Sequence, residues 1–185
     1  MVKKILKESE DRMHKAVEVV RQELVKIRTG KATTALLDGI KVDYYGTMTP
    51  LQQVANSSVL DLHTLTITPW DKSSLDAIQK AIQTANIGLN PVKEADHIRV
   101  PIPPLNEERR RELVKLTKKF GEDGKVAIRN VRRDTIEHLK KSEKAEHFSE
   151  DDRKKAEIDV QKITDRMTKD IDSLLAMKEK EIMEV

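Results

Sequence analysis

Ile98-Arg99-Val100-Pro101-Ile102-Pro103-Pro104-Leu105-Asn106-Glu107-Glu108-Arg109-Arg110-Arg111 is where the chain changes from one kind of structure to another. Ile98, Val100 and Ile102 alternate with polar or proline residues, the period of a half-buried strand. Pro101, Pro103 and Pro104 then rule out both a central strand and a helix interior, because each lacks an N–H and fixes φ. Asn106 offers an N-cap, and Glu107 and Glu108 put acid in the first turn of a new helix. A stiff strand-to-helix corner of this kind joins two bodies. Its counterpart lies upstream, where Thr29-Gly30 ends a long helical pattern.

That upstream pattern reads as one helix. Leu6, Met13, Val20 and Ile27 fall seven apart, with Val17 and Leu24 at the second apolar position, a heptad seam. Glu10 interrupts the seam, so the first turns are expected to fray, and Gly30 is the expected C′ residue. Downstream of the corner the helical period returns through Leu113, Leu116, Phe120, Ala127 and Val131. Gly121 and Gly124 weaken that run, each by roughly 1 kcal/mol relative to alanine, so one long helix with a local bend is expected. Ser149 and Asp152 form a capping box for a last helix, whose apolar face is Val160, Ile163, Met167, Ile171, Leu174 and Ile182. Met167, Met177 and Met183 read as core filler.

Between the two joints the grammar is different. Ile40, Val42 and Tyr44 alternate, as do Leu65 and Ile67 among threonines, which are strand formers. Ser73 with Asp76 resembles a capping box ahead of Leu75, Ile78, Ile82 and Ala85. Gly88 and Asn90-Pro91 follow that short helix. Tyr44, Tyr45 and Trp70 are expected to pack in the core or edge of this body. The fold class is therefore α+β. An elongated three-helix bundle, discontinuous over residues 1–30 and 105–185, carries a small inserted domain over 31–104, and the outline is bent or L-shaped.

Composition narrows function. Charged residues make up 36% of the 185 and aromatics 3%, a profile of long amphipathic helices. Cysteine is absent, which excludes disulfides, thiol catalysis and thiolate metal sites. No apolar run reaches membrane-spanning length and no signal peptide is recognisable, so a soluble, cytoplasmic protein is expected. The formal net charge of +3 is unevenly spread. Residues 1–30 carry +3, 31–104 carry −1, 105–148 carry +4 and 149–185 carry −3, counted from the sequence.

Lys125, Arg129, Arg132 and Arg133 stand at i, i+4, i+7 and i+8, on one helical face. Arg109, Arg110 and Arg111 form a second cluster at the joint. Arginine's planar fork suits phosphate, and the scarcity of aromatics disfavours base stacking. A structured RNA held by its phosphates fits this face; a solvated face paired with Asp134 and Glu137 is the alternative. Enzymatic readings lack a constellation. Gly30-Lys31 misses the first glycine and the hydroxyl of a phosphate loop. His14, His63, His97, His138 and His147 share no metal-ligand spacing, and Glu107-Glu108 and Asp151-Asp152 read as helix-start acids. No catalytic residue, metal or cofactor is expected.

Several blocks occur in order: Lys26-Ile27-Arg28-Thr29-Gly30, Leu36-Leu37-Asp38-Gly39-Ile40, Tyr44-Tyr45-Gly46, Pro50-Leu51, Gly88-Leu89-Asn90-Pro91, Ile98–Arg111, Val131-Arg132-Arg133-Asp134 and Ser149-Glu150-Asp151-Asp152. Together they closely resemble the bacterial ribosome recycling factor family, over the whole chain. The resemblance implies a three-helix bundle and an inserted β/α/β domain with a tRNA-like outline. It implies a monomer that binds the ribosome after termination and, with elongation factor G and GTP hydrolysis by that factor, splits it into subunits. It implies contacts to large-subunit rRNA through basic residues of the bundle, at matching positions Arg28, Arg129, Arg132 and Arg133, with Arg110 and Lys125 beside them. It implies hinges at Gly30-Lys31 and Pro103-Pro104-Leu105. Gly124 departs from the expected pattern and should loosen the second helix. A helical protein–protein scaffold, which would self-associate through the seam, is the competing reading.

Overall fold

The computed structural model describes residues 1–145 and 148–184; His147 lies outside them. Met1–Arg28 and Glu107–Glu184 form one compact unit and Thr29–Asn106 a second.

The first unit is built from α1 (Val2–Val25), α4 (Glu107–Lys144) and α5 (Glu150–Met183). The hydroxyls of Ser9 and Thr135 sit 2.9 Å apart, Arg12 pairs with Asp134 at 2.9 Å and Lys125 with Asp172 at 2.6 Å. These pairings run α4 antiparallel to both α1 and α5. Ser149 caps α5 in the expected box: its side chain accepts from the Asp152 N–H, and the Asp152 carboxylate accepts from the Ser149 N–H.

Met13, Val17, Val20, Leu24 and Ile27 of the expected seam are buried, and the seam differs from the expectation at its start. In α1 the buried positions are Ile5, Ser9, Met13, Val17, Val20 and Leu24, with Leu6 only half-buried. Glu10 therefore interrupts nothing, because Ser9 holds the seam. Steps of four predominate, a longer period than the 3.5 of a strict heptad. In α4 the seam passes through Leu113, Thr117, Gly121, Gly124, Ile128, Val131, Thr135 and Leu139. Leu116 is 38% exposed, and Phe120 and Ala127 are half-buried. Small and hydroxyl residues occupy the places where apolar ones were sought. Of the three methionines, Met167 is buried but Met177 and Met183 are 70% and 58% exposed.

The two glycines do not loosen α4, which is continuous through both. They are places where side chains of its neighbours come close. A Cβ on Gly124 would collide with Val20 Cγ2 and stand 3.0 Å from Ile171 Cδ1, and one on Gly121 would collide with the Leu175 side chain. The propensity penalty is offset by close packing.

The second unit holds a four-stranded antiparallel sheet in the order β3 (Ala55–Asp61), β4 (Thr64–Pro69), β6 (Ile98–Pro101), β5 (Val92–Lys93), and a separate hairpin of β1 (Lys41–Tyr44) and β2 (Thr47–Pro50). A single turn, α2 (Leu51–Val54), precedes β3, and α3 (Leu75–Thr84) crosses between β4 and β5. Leu65, Ile67, Ile98, Val100, Ile78 and Ile82 are buried in one core. The alternation of β4 and β6 produces that core, since every second residue points to one face. The helix start differs from the capping box expected at Ser73. Asp71 accepts from the Ser73 N–H and opens a 3₁₀ turn that runs into α3, and Ala85 is exposed. Trp70 and Tyr45 are 71% and 76% exposed, not core, while Tyr44 is half-buried.

Among the described residues six carboxylates are held below their ordinary range. Asp61 accepts from the His63 N–H, Asp71 from the Ser73 N–H and Asp152 from Ser149. Asp96 is bonded to His97, Glu137 to Lys141 and Glu150 to Lys154. A depressed carboxylate contributes stability above its unfolded-chain pKa, about 4, and loses it as pH falls. Melting temperature should thus be insensitive to these groups from pH 5 to 8 and decline below about pH 4.5; a scan of Tm against pH by circular dichroism checks it.

Candidate nucleic-acid interface

The flank of α4 that carries Lys125 faces α5, through the Lys125–Asp172 pair, and the flank that carries Asp134 faces α1, through Arg12. The α5 side of α4 therefore bears the basic residues. Little more than two helical turns there bring Lys125, Arg129, Arg132 and Arg133 into a row that begins at the seam and turns outward to solvent.

The four are not equivalent. Lys125 is 25% exposed and tied to Asp172. Arg129 is exposed and bonds Glu122 at 2.6 Å on its own helix. Arg133 is exposed and donates to Asn130 at 3.3 Å. Arg132 is half-buried beside the seam, and its Nε is buried with no hydrogen-bond partner among the described residues. No ion pair or side-chain hydrogen bond engages this guanidinium among the described residues, so its donors are not committed within the protein and suit a phosphate. Arg110, in the first turn of α4, repeats the pattern with a half-buried side chain and a buried, unpartnered Nε. Its neighbours are engaged, Arg109 with Glu112 at 2.8 Å and Arg111 with Glu107. Arg28 is exposed just beyond α1, at the same end of the bundle as Arg110 because α1 and α4 are antiparallel.

The residues expected at hinges all fall within the second unit. α1 ends at Val25 with Lys26 as its cap, so Gly30 is not the C′ residue of the helix. It adopts φ +77° in the connection that follows, and its absent Cβ would lie 3.3 Å from Leu105 Cγ and 3.4 Å from the Pro103 carbonyl. Lys31 is exposed beside it, as are Pro103 and Pro104, while Leu105 is half-buried. The turn between β3 and β4 grips both crossings. His63 Nδ1 is 3.0 Å from the Gly30 carbonyl, the Ala32 N–H donates to the Leu62 carbonyl at 2.8 Å and the Ile102 N–H to the His63 carbonyl at 2.6 Å. The sequence had shown His63 only as an isolated histidine; no local spacing marks a contact made across more than thirty residues. Gly30→Ala should cost about 1–2 kcal/mol, because a side chain in the left-handed region is strained whatever the space around it. Urea denaturation checks the figure.

Among the described residues no cluster of three or more His, Asp or Glu side chains could hold a metal.

A family profile described as ribosome recycling factor matches residues 20–183. The ribosome-recycling factor of Chlorobium luteolum is 54% identical over 184 residues, covering 100% of this chain and 99% of that one. The ribosome-recycling factor of Symbiobacterium thermophilum is 52% identical over 185 residues, 100% of both chains. A solution structure of the ribosome recycling factor aligns with TM-score 0.75 at 44% identity over 100% of this chain and 98% of its own. A second structure describes the T. thermophilus factor and E. coli elongation factor G bound to the E. coli post-termination complex. It aligns with TM-score 0.63 at 44% identity over 99% of each chain. Similarity that runs the length of both chains, with the same helices and sheet beneath it, settles kinship: the chain belongs to the ribosome recycling factor family.

Proposed function

We propose that the protein binds the post-termination ribosome and, with elongation factor G and GTP, drives its separation into subunits and release from mRNA. It works as a translation factor and not as an enzyme. The bundle, residues 1–30 and 105–185, docks on large-subunit rRNA through Arg28, Arg110, Arg129, Arg132 and Arg133, with Lys125 adding charge while bonded to Asp172. The inserted domain, 31–104, turns about Gly30-Lys31 and Pro103-Pro104-Leu105 and receives the force of elongation factor G. The observation that carries the docking face is that Arg110 and Arg132, both half-buried on α4, have no ion pair or side-chain hydrogen bond among the described residues. Phosphate recognition by arginine supplies the chemistry, and an A-form surface is read through its backbone. No helix among the described residues is long and apolar enough to cross a membrane, which accords with a cytoplasmic site of action. The protein acts as a monomer. Co-sedimentation with isolated large subunits at rising salt tests the proposal. Binding that weakens steeply with salt supports phosphate contacts; salt-independent binding contradicts them.

A further inference from the structure

The sheet of the second unit has two edges that are treated differently. β5 has only two residues, Val92 and Lys93, follows Pro91, and carries a lysine. Shortness, proline and lysine are the usual protections of an edge against pairing with another chain. β3 has seven residues, with no proline or lysine and no charge before Asp61. Its apolar members are open: Val59 is 50% and Leu60 62% exposed, and Leu62 in the following turn is 43% exposed.

The register shows which backbone groups of β3 point outward. The Trp70 N–H donates to the Val54 carbonyl, so the Ala55–Pro69 pair is non-hydrogen-bonded, and hydrogen bonding alternates along the ladder from there. Asn56 and Ser58, opposite Thr68 and Thr66, turn their N–H and C=O groups toward β4. Ser57 and Val59 turn theirs away from β4, where no backbone bond from another element reaches them among the described residues, while the 3₁₀ turn Thr34–Leu37 lies against β3 and Ala32 bonds the Leu62 carbonyl just beyond it. Two residues that each present an outward donor and acceptor, one pleat apart, match the backbone of another strand. At the Ser57 end of the edge a cavity of about 210 Å³ opens between Leu37, Asp38, Gln52 and Ser57. Asp38 Oδ1 accepts from Gln52 Nε2 at 3.1 Å, which leaves the second carboxylate oxygen for a cation. Asp61 stands at the other end, its Oδ1 accepting from the His63 N–H.

We infer that β3 is a docking edge that takes an extended segment of a partner protein by strand addition. The segment places a lysine or arginine against Asp38, apolar side chains along Val59 and Leu60, and a second basic residue toward Asp61. Main-chain bonds supply affinity in such pairing and alternate side chains supply selectivity. A second copy of this chain is a poor occupant. The register shift between Val59 and Asp61 limits the pairable run, and so short a strand buries far less than the roughly 1,200 Å² that a stable dimer needs. The edge suits the tail of a partner held elsewhere as well.

Amide hydrogen exchange by NMR on the full-length protein tests this, with the synthetic hexapeptide Lys-Thr-Val-Thr-Val-Arg as probe and Glu-Thr-Val-Thr-Val-Asp as its charge-reversed counterpart. In the free protein the Ser57 and Val59 amides should exchange rapidly and those of Asn56 and Ser58 slowly. The basic peptide at millimolar concentration should slow Ser57 and Val59 at least tenfold, and the acidic peptide should do markedly less. Val59→Pro removes an outward N–H, a change that edge strands tolerate, and should abolish the effect with Tm unchanged. Asp38→Lys should weaken it independently should the proline variant fail to fold. Protection of Ser57 and Val59 in the free protein, or shifts centred away from β3, would overturn the inference. So would equal binding of both peptides, or protection that rises with protein concentration alone.

Discussion

Gly124→Ala is expected to destabilise the bundle by about 1–3 kcal/mol, the usual cost of forcing an extra methyl group into a packed core. From helix propensity alone the sign would be reversed, since alanine is favoured over glycine in a helix by roughly 1 kcal/mol. The two effects compete, and the neighbours decide between them. The new methyl group meets Val20 Cγ2 head on and has Ile171 Cδ1 3.0 Å to one side. Val20 is 3% exposed and Ile171 0%. Valine in a helix has one strongly preferred rotamer, so it cannot swing aside, and relief must come from moving α1 or α5. Gly121→Ala is the control. Its methyl group meets Leu175, which is half-buried and has more rotamers to use, so the loss there should be smaller or absent. Chemical denaturation of both variants measures the contrast, and a stabilised Gly124→Ala protein would mean that the helices do not approach as closely as described.

Arg132→Ala is expected to weaken ribosome binding roughly ten- to hundredfold, which corresponds to the 1.5–3 kcal/mol of a charge-assisted hydrogen bond. The fold should be little affected, because Arg132 makes no ion pair among the described residues and its Nε has no partner to lose. Lys125→Ala offers the opposite balance. It breaks the link to Asp172 across α4 and α5, and should affect stability as well as affinity. Ribosome affinity by filter binding, read beside Tm, separates the two roles. Equal affinity of Arg132→Ala and the parent protein would remove Arg132 from the interface.

The sequence is legible where one interaction dominates. The alternation of Leu65 and Ile67 and of Ile98 and Val100 gave the strands, because burial on one face alone sets that pattern. Ser149 and Asp152 gave the start of α5, because capping is local. The α4 seam was less legible. Packing there rests on Thr117, Gly121 and Gly124, whose contribution is smallness, and apolar periodicity is blind to smallness. Trp70 and Tyr45 misled for a related reason. Large aromatic residues are usually buried, yet here Tyr45 is held on the surface by bonds from its hydroxyl to Asp71 at 2.9 Å and Ser73 at 3.2 Å. The basic row was readable as spacing, but its pairing was not: Lys125 is tied to Asp172 of α5, far away in the chain, and Arg129 reaches back seven residues to Glu122. The His63 grip on Gly30 is likewise a purely tertiary fact.

Light scattering reads subunit separation in a mixture of this protein with purified post-termination ribosomes, matched elongation factor G and GTP. A fall in scattering that requires both this protein and elongation factor G, and is slowed by Arg132→Ala at limiting protein, is the predicted result. Scattering that stays constant with both factors present, although the protein is bound to the ribosome, would contradict the account.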